Sequence, residues 1–187
     1  MALQQVLHQL ELATRGQGFT RLDRQINQWL HGTGLWQGVL HLTCLHTSCS
    51  LTINENADPR VLEDLADWMA DIVPESRYYN HADEGADDMP AHIRTALTAQ
   101  TLSLSVDAGQ LVLGTWQAVY LWEHRRRPHQ RRVLCHLLGE PTPLETKSKA
   151  LNQQIQARHD PEAWAADGGI ETELDCLVDQ LHDLAET

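Results

Sequence analysis

Residues 101–123 read TLSLSVDAGQLVLGTWQAVYLWE. Leu102, Leu104 and Val106 alternate with Thr101, Ser103 and Ser105, the period of a strand with one wet face. Asp107-Ala-Gly-Gln supplies turn residues, and Leu111 to Glu123 returns as a long partner strand. A second turn around the arginines leads into a last strand, Val133 to Leu138. Upstream, Val6 to Leu12 alternates loosely as a first strand and ends at Arg15-Gly16-Gln17-Gly18. Val39 to His46 is a dense apolar run, predicted to be buried on both faces. It continues into HTSCSLTINEN, residues 46–56, where Leu51 and Ile53 alternate with Thr52 and Asn54.

Between the strands the period changes. Leu22, Ile26, Trp29 and Leu30 recur at helical spacing, and Gly32 and Gly34 stop that helix. Asp58-Pro59 is a cap followed by a proline, and Val61, Leu62, Leu65, Trp68, Met69 and Ile72 form the stripe that Pro74 ends. Asp88 before Pro90 reads as the cap of a third helix. Strands joined by hairpins, with helices between them, predict an α+β fold, a mainly antiparallel β-sheet sandwich with inserted helices.

A chain of 187 residues, 42% of them hydrophobic, can bury a real core. Its formal charge of −12 excludes a general nucleic-acid binder, which needs a basic surface. The charge is uneven. Residues 141–187 hold ten acids against three bases, with Pro141, Pro143 and Gly168-Gly169 as breaks. Leu174, Leu177, Val178, Leu181 and Leu184 form a helical stripe there. The expected division is therefore a domain over 1–140 and an acidic, helical extension over 141–187 that packs on the domain, a neighbouring subunit or a protein partner. Cys44, Cys49, Cys135 and Cys176 include no C-x-x-C pair, and no secretory signal precedes them, so free thiols in the cytoplasm are expected. No apolar run approaches the length of a membrane span.

The chemistry gathers in YNHADEGADDMPAHIR, residues 79–94, with His81, Asp83, Glu84, Asp87, Asp88 and His92. An acidic helix start accounts for the acids, since they face the positive end of the helix dipole. It does not account for the imidazoles. His46 ends the apolar strand, where a lone histidine is most often a hydrogen-bonded structural residue. Three histidines near strand ends and helix starts can instead converge, and three ligands with an open fourth position is a catalytic metal pattern. His81-x₁₀-His92 matches no compact metal motif.

HTSCSLTINENADP (46–59), HADEGADDMPAHI (81–93) and LGTWQAVYLWEHR (113–125), ending in Leu138-Gly-Glu, closely resemble the YjbQ-like family of secondary thiamine-phosphate synthases. The resemblance covers about residues 1–140. It implies an α+β homotrimer with a histidine-lined site, its metal ligands falling on His46, His81 and His92. It also brings Thr115, Trp116, Gln117 and Glu123 to the site. Cys49 stands where the family commonly has alanine, so a small buried thiol is expected there rather than a nucleophile.

The activity so implied joins a pyrimidine pyrophosphate to a thiazole phosphate and releases pyrophosphate. It asks for a divalent ion on the leaving group and donors for phosphate oxygens. On that reading His46, Asp88 and Glu123 are catalytic, and Ser48, Ser50, Asn54, Thr115, Trp116 and Gln117 bind a small-molecule substrate. A zinc-like ion sits at the histidines, and magnesium arrives with the substrate on Asp83, Glu84, Asp87 and Asp88. The arginines 125–127, 131 and 132 read as a solvated turn. Two alternatives stay open: a metal-dependent hydrolase or lyase on a small phosphorylated or heterocyclic substrate, and a non-enzymatic trimeric scaffold.

Overall fold

In the computed structural model, residues 3–143 are described. Of the helical extension expected over 141–187, residues 144–187 lie outside the described residues, and Pro141 ends the last strand of the domain. Eight strands and three helices run in the order β1 (Gln4–Ala13), β2 (Gly18–Arg21), α1 (Asp23–Thr33), β3 (Leu35–Cys44), β4 (Cys49–Glu55), α2 (Pro59–Ile72), α3 (Asp88–Leu97), β5 (Thr101–Asp107), β6 (Gln110–Leu111), β7 (Gln117–Glu123) and β8 (Gln130–Pro141). All pairings are antiparallel, in a five-stranded sheet of order β1-β8-β3-β5-β6 and a three-stranded sheet of order β2-β7-β4. The fold is α+β, as the alternation of periods predicts.

The layers follow from alternation. Leu10, Leu40, Leu42, Leu104, Val133 and Leu137 of the large sheet pack on Ile26 and Leu30 of α1 and on Leu51, Val119 and Leu121 of the small sheet. The opposite face of β7 sends Trp122 onto Met69 of α2 and Val73, with Phe19 and Ile93 alongside. Strand β7 is thus covered on both faces, every residue from Ala118 to Glu123 being buried. The strand expected to be buried on both faces was β3, and this is corrected. Its burial alternates, with Val39 49% exposed on the outer face of the large sheet.

Residues 111–123 also differ from the expectation. They do not form one partner strand to β5. The hairpin turn is as predicted, with Ala108 and Gly109 both at positive φ, the pattern of a two-residue I′ turn. Its return strand lasts only for Gln110 and Leu111 before the chain crosses to the small sheet. The break is built by side chains. Gln117 Oε1 accepts the backbone N–H of Gly114, and Asn56 donates to the carbonyls of Thr115 and Gln117. Asp58 caps α2 as expected, accepting from the Arg60 N–H. Asp88 does not cap α3. It is the helix's first residue, and its side chain turns inward to other work.

Candidate metal centre

The acidic stretch before α3 is tied down by one cation. Arg125, just after β7, donates from Nε to Asp87 Oδ2 at 3.0 Å and from a terminal nitrogen to the Glu84 carbonyl at 3.0 Å. Its other terminal nitrogen pairs closely with Asp88 Oδ1. Burial alone would raise the Asp87 carboxyl, but the Arg126 N–H and the Arg125 guanidinium outweigh it and hold it below the usual range. Arg125 therefore fixes the loop and the first turn of α3 as one piece.

That leaves the second oxygen of Asp88. Oδ2 is sealed from solvent and makes no hydrogen bond, although His81 Nε2 stands 2.9 Å away. Nε2 of His92, one helical turn along, is 3.7 Å from the same carboxylate. His92 Nδ1 lies 2.9 Å from the Thr47 carbonyl, an acceptor only, so Nδ1 carries the proton and Nε2 keeps its lone pair. This is how metal-binding histidines are commonly oriented. Ligand atoms of His81, Asp88 and His92 all lie within 4.8 Å of one another. A buried carboxylate oxygen without a donor costs free energy unless a cation meets it. The donor set, two imidazoles and one carboxylate, suits a zinc-like ion with open positions.

His46 is not in this group. Its Nε2 accepts the Arg132 backbone N–H at 2.8 Å, which commits the lone pair a metal would need. Burial, followed by Arg131 and Arg132, pushes its pKa below the ordinary value and keeps the ring neutral. It stands next to Thr47 and so borders the centre rather than ligating it.

Glu123 is placed beneath the site as a brace. Its oxygens accept from Arg131 Nε and a terminal nitrogen at 2.7 and 2.6 Å, from Thr14 Oγ1 at 2.8 Å and from the Arg125 N–H at 3.0 Å. Burial opposes its charge, but Arg131, the Arg125 N–H and Thr14 more than compensate and lower its pKa. With both oxygens engaged and 1% exposure, it has no face to offer a substrate.

The expected substrate binders divide between two places. Ser48 accepts from Arg131, and Ser50 is bonded to His124 Nε2 at 2.9 Å; both are buried. His124 is the neutral partner, its pKa pushed down to about 3 mainly by burial and then by Arg94. Asn54, Thr115, Trp116 and Gln117 lie at the other end of β4 and β7, where Gln117 pairs with Glu55 while Glu123 pairs with Cys49. Six residues of strand separate those ends by about 20 Å. Trp116 is 63% exposed on the braced turn. Within one chain the structure does not bring this group to the centre.

The arginine run is corrected in part. Arg126, Arg127 and Arg132 are exposed, but Arg125 and Arg131 are buried and hold the site together. The signal for Arg131 was available: it lies on the inward register of β8 with Val133, Cys135 and Leu137. For Arg125 and the Thr47 carbonyl no local signal existed.

Comparison with known proteins agrees with this arrangement of strands. The sequence model of the family described as UPF0047 protein YjbQ-like matches residues 8–140. A UPF0047 protein of Synechocystis sp. is 49% identical over 132 residues, covering 70% of this chain and 90% of the relative. YjbQ of Salmonella typhimurium is 42% identical over the same length, covering 70% and 96%. Among solved structures, a conserved hypothetical protein of Thermus thermophilus is 34% identical with a TM-score of 0.61, covering 68% of this chain and 97% of its own. A UPF0047-family protein of Clostridium acetobutylicum gives 29% and 0.62, covering 71% and 98%. With the fold, the motifs and relatives of this identity in agreement, the chain belongs to the YjbQ-like UPF0047 family.

Proposed function

We propose that the chain is a metal-dependent enzyme in which His81, Asp88 and His92 hold one divalent ion beside a small phosphorylated substrate. The observation that carries this reading is the buried Asp88 carboxylate, its Oδ2 sealed from solvent and 2.9 Å from His81 Nε2, together with the lone pair that Thr47 leaves free on His92. A divalent ion there supplies Lewis acidity toward a phosphoryl oxygen or toward water. The chain's own residues do the rest. Arg125 keeps Asp88 in place, Glu123 and Arg131 keep the strand ends in place, and exposed Arg132 adds positive charge next to His46.

The reaction put first is the one the resemblance implies, thiamine-phosphate synthesis. A bond forms between the thiazole nitrogen and the pyrimidine methylene, and pyrophosphate leaves. Asp87 and one oxygen of Asp88 are engaged by Arg125, and the other Asp88 oxygen is assigned to the histidine-held ion, so magnesium is expected to travel with the pyrophosphate rather than to sit on the loop. The test is pyrophosphate release and product formation from the two precursors with added magnesium. A His92→Ala variant guards against a contaminating host synthase. A rate that the variant does not reduce would refute the assignment.

The second reading, a hydrolase or lyase, is favoured by the exposure of His81, which opens the centre to water. It becomes first if wild-type protein retains metal yet makes no product. The chain is further proposed to act in the cytoplasm as a homotrimer. The free thiols of Cys44, Cys49 and Cys135 support the cytoplasmic part of that reading.

A further inference from the structure

Strand β3 ends at Cys44 and β4 begins at Cys49, and the two side chains meet in the core. Their Sγ atoms are 3.3 Å apart, and the Cys44 thiol also reaches the Cys49 carbonyl at 3.4 Å. We propose that Cys44 and Cys49 form a reversible disulfide that closes a ring around residues 45–48 under peroxide. The sulfurs need approach by only about 1.3 Å to reach bonding distance. Each is carried on the end of a strand, beside a connection of four residues.

The loop inside this ring is the one that borders the metal centre. Leu45 is bonded to the Arg132 carbonyl, His46 to the Arg132 N–H, Thr47 to His92, and Ser48 to Arg131. Closing the ring reshapes the connection that holds the His92 ring, so the redox state of the pair is coupled to the orientation of His92. The consequence for the centre rests on the metal reading above, but ring formation does not.

The chemistry is that of a thiol pair. The mutual hydrogen bond holds one thiol, Cys44, below its ordinary pKa and pushes Cys49 above it. The Cys44 thiolate attacks one peroxide oxygen, the O–O bond breaks, and the hydroxide released takes up a proton as water. The Cys49 sulfur then displaces the hydroxyl of the Cys44 sulfenic acid. Its proton leaves with that hydroxyl as a second water. Two electrons pass from the sulfurs to the peroxide. Hydrogen peroxide is close to water in size, which suits thiols with 4% and 0% exposure.

The experiment treats the full chain with hydrogen peroxide, then alkylates it under denaturing, non-reducing conditions. The expected result is a loss of two hydrogens from the intact mass and a fall from four alkylated cysteines to two. Dithiothreitol reverses both. Chymotryptic cleavage after Leu45 yields two peptides that stay joined until reduction. Cys49→Ala, and independently Cys44→Ala, show no such joining, while Cys135→Ala behaves as wild type. Uptake of oxygen without a cross-link, or a cross-link to Cys135 or Cys176, would overturn the proposal. The ¹⁵N shift of His92 Nδ1 should move on oxidation in wild type and stay fixed in Cys49→Ala. A cross-link that leaves that shift unmoved would overturn the coupling to His92 while the metal reading stands.

Discussion

The Thr47 carbonyl accepts the Nδ1–H of His92 at 2.9 Å, and this bond decides which nitrogen of His92 faces Asp88. A backbone carbonyl cannot donate, so it sets Nδ1 as the nitrogen that carries the proton. The metal prediction follows directly.

Elemental analysis of purified protein should give one transition-metal ion per chain. His81→Ala, His92→Ala and Asp88→Ala should each lose it. His46→Ala should keep it, because His46 Nε2 is committed to Arg132. Loss in His46→Ala with retention in Asp88→Ala would restore His46 as the third ligand.

Glu123 and Arg131 form the buried ion pair under the site, at 1% and 4% exposure. Removing one partner of such a pair leaves an uncompensated charge and typically costs about 3–5 kcal/mol. Arg131→Ala should show that loss in urea unfolding. Arg126→Ala, which removes an exposed partner of Glu75, should cost about 1 kcal/mol or less.

His124 should make stability fall with acid. Its folded pKa is about 3, against an ordinary 6.5, so the unfolded chain binds the extra proton between those values. Stability is fully present above pH 6.5 and is lost as pH falls toward 3, by up to about 1.4 kcal/mol per pH unit. A His124→Asn variant should flatten that slope. Glu123 acts in the same direction but lower, its pKa being held below 4.5, so its contribution is lost only as pH falls under that value. Unfolding free energies from pH 7.5 to 3 check both. A slope unchanged by His124→Asn would mean that the ring is charged in the folded state.

The outer face of the large sheet carries the assembly prediction. Leu7, Val39 and Leu138 are all more than 40% exposed there, and Val39 lies directly across from Leu138 in the β3–β8 register. Apolar side chains on an open sheet face favour a protein contact. Light scattering should give three times the chain mass of 21.1 kDa for the wild type, and three times its own smaller chain mass for a chain cut after Pro143. Val39→Asp should dissociate the assembly. A trimer that survives Val39→Asp would place the interface elsewhere.

The sequence by itself determined several local elements and the family. Alternation of Leu102, Leu104 and Val106 gave β5, Asp107 to Gln110 gave its turn, and Asp58-Pro59 gave the start of α2, because each depends on neighbours a few residues away. The motifs placed the candidate donors close together along the chain, since His81, Asp88 and His92 sit in one short stretch. Only the tertiary structure decided what each residue does there. Residues 111–123 divide between two sheets because Asn56 and Gln117 brace a turn that no periodicity announces. Glu123 is a brace because Thr14, 109 residues away, and Arg131 meet it in the core. Asp88, rather than His46, completes the candidate donor set because the Arg132 N–H occupies His46 and Arg125 leaves one oxygen of Asp88 free. Those assignments depend on which distant groups satisfy each buried donor and acceptor, and that is settled by packing, not by spacing along the chain.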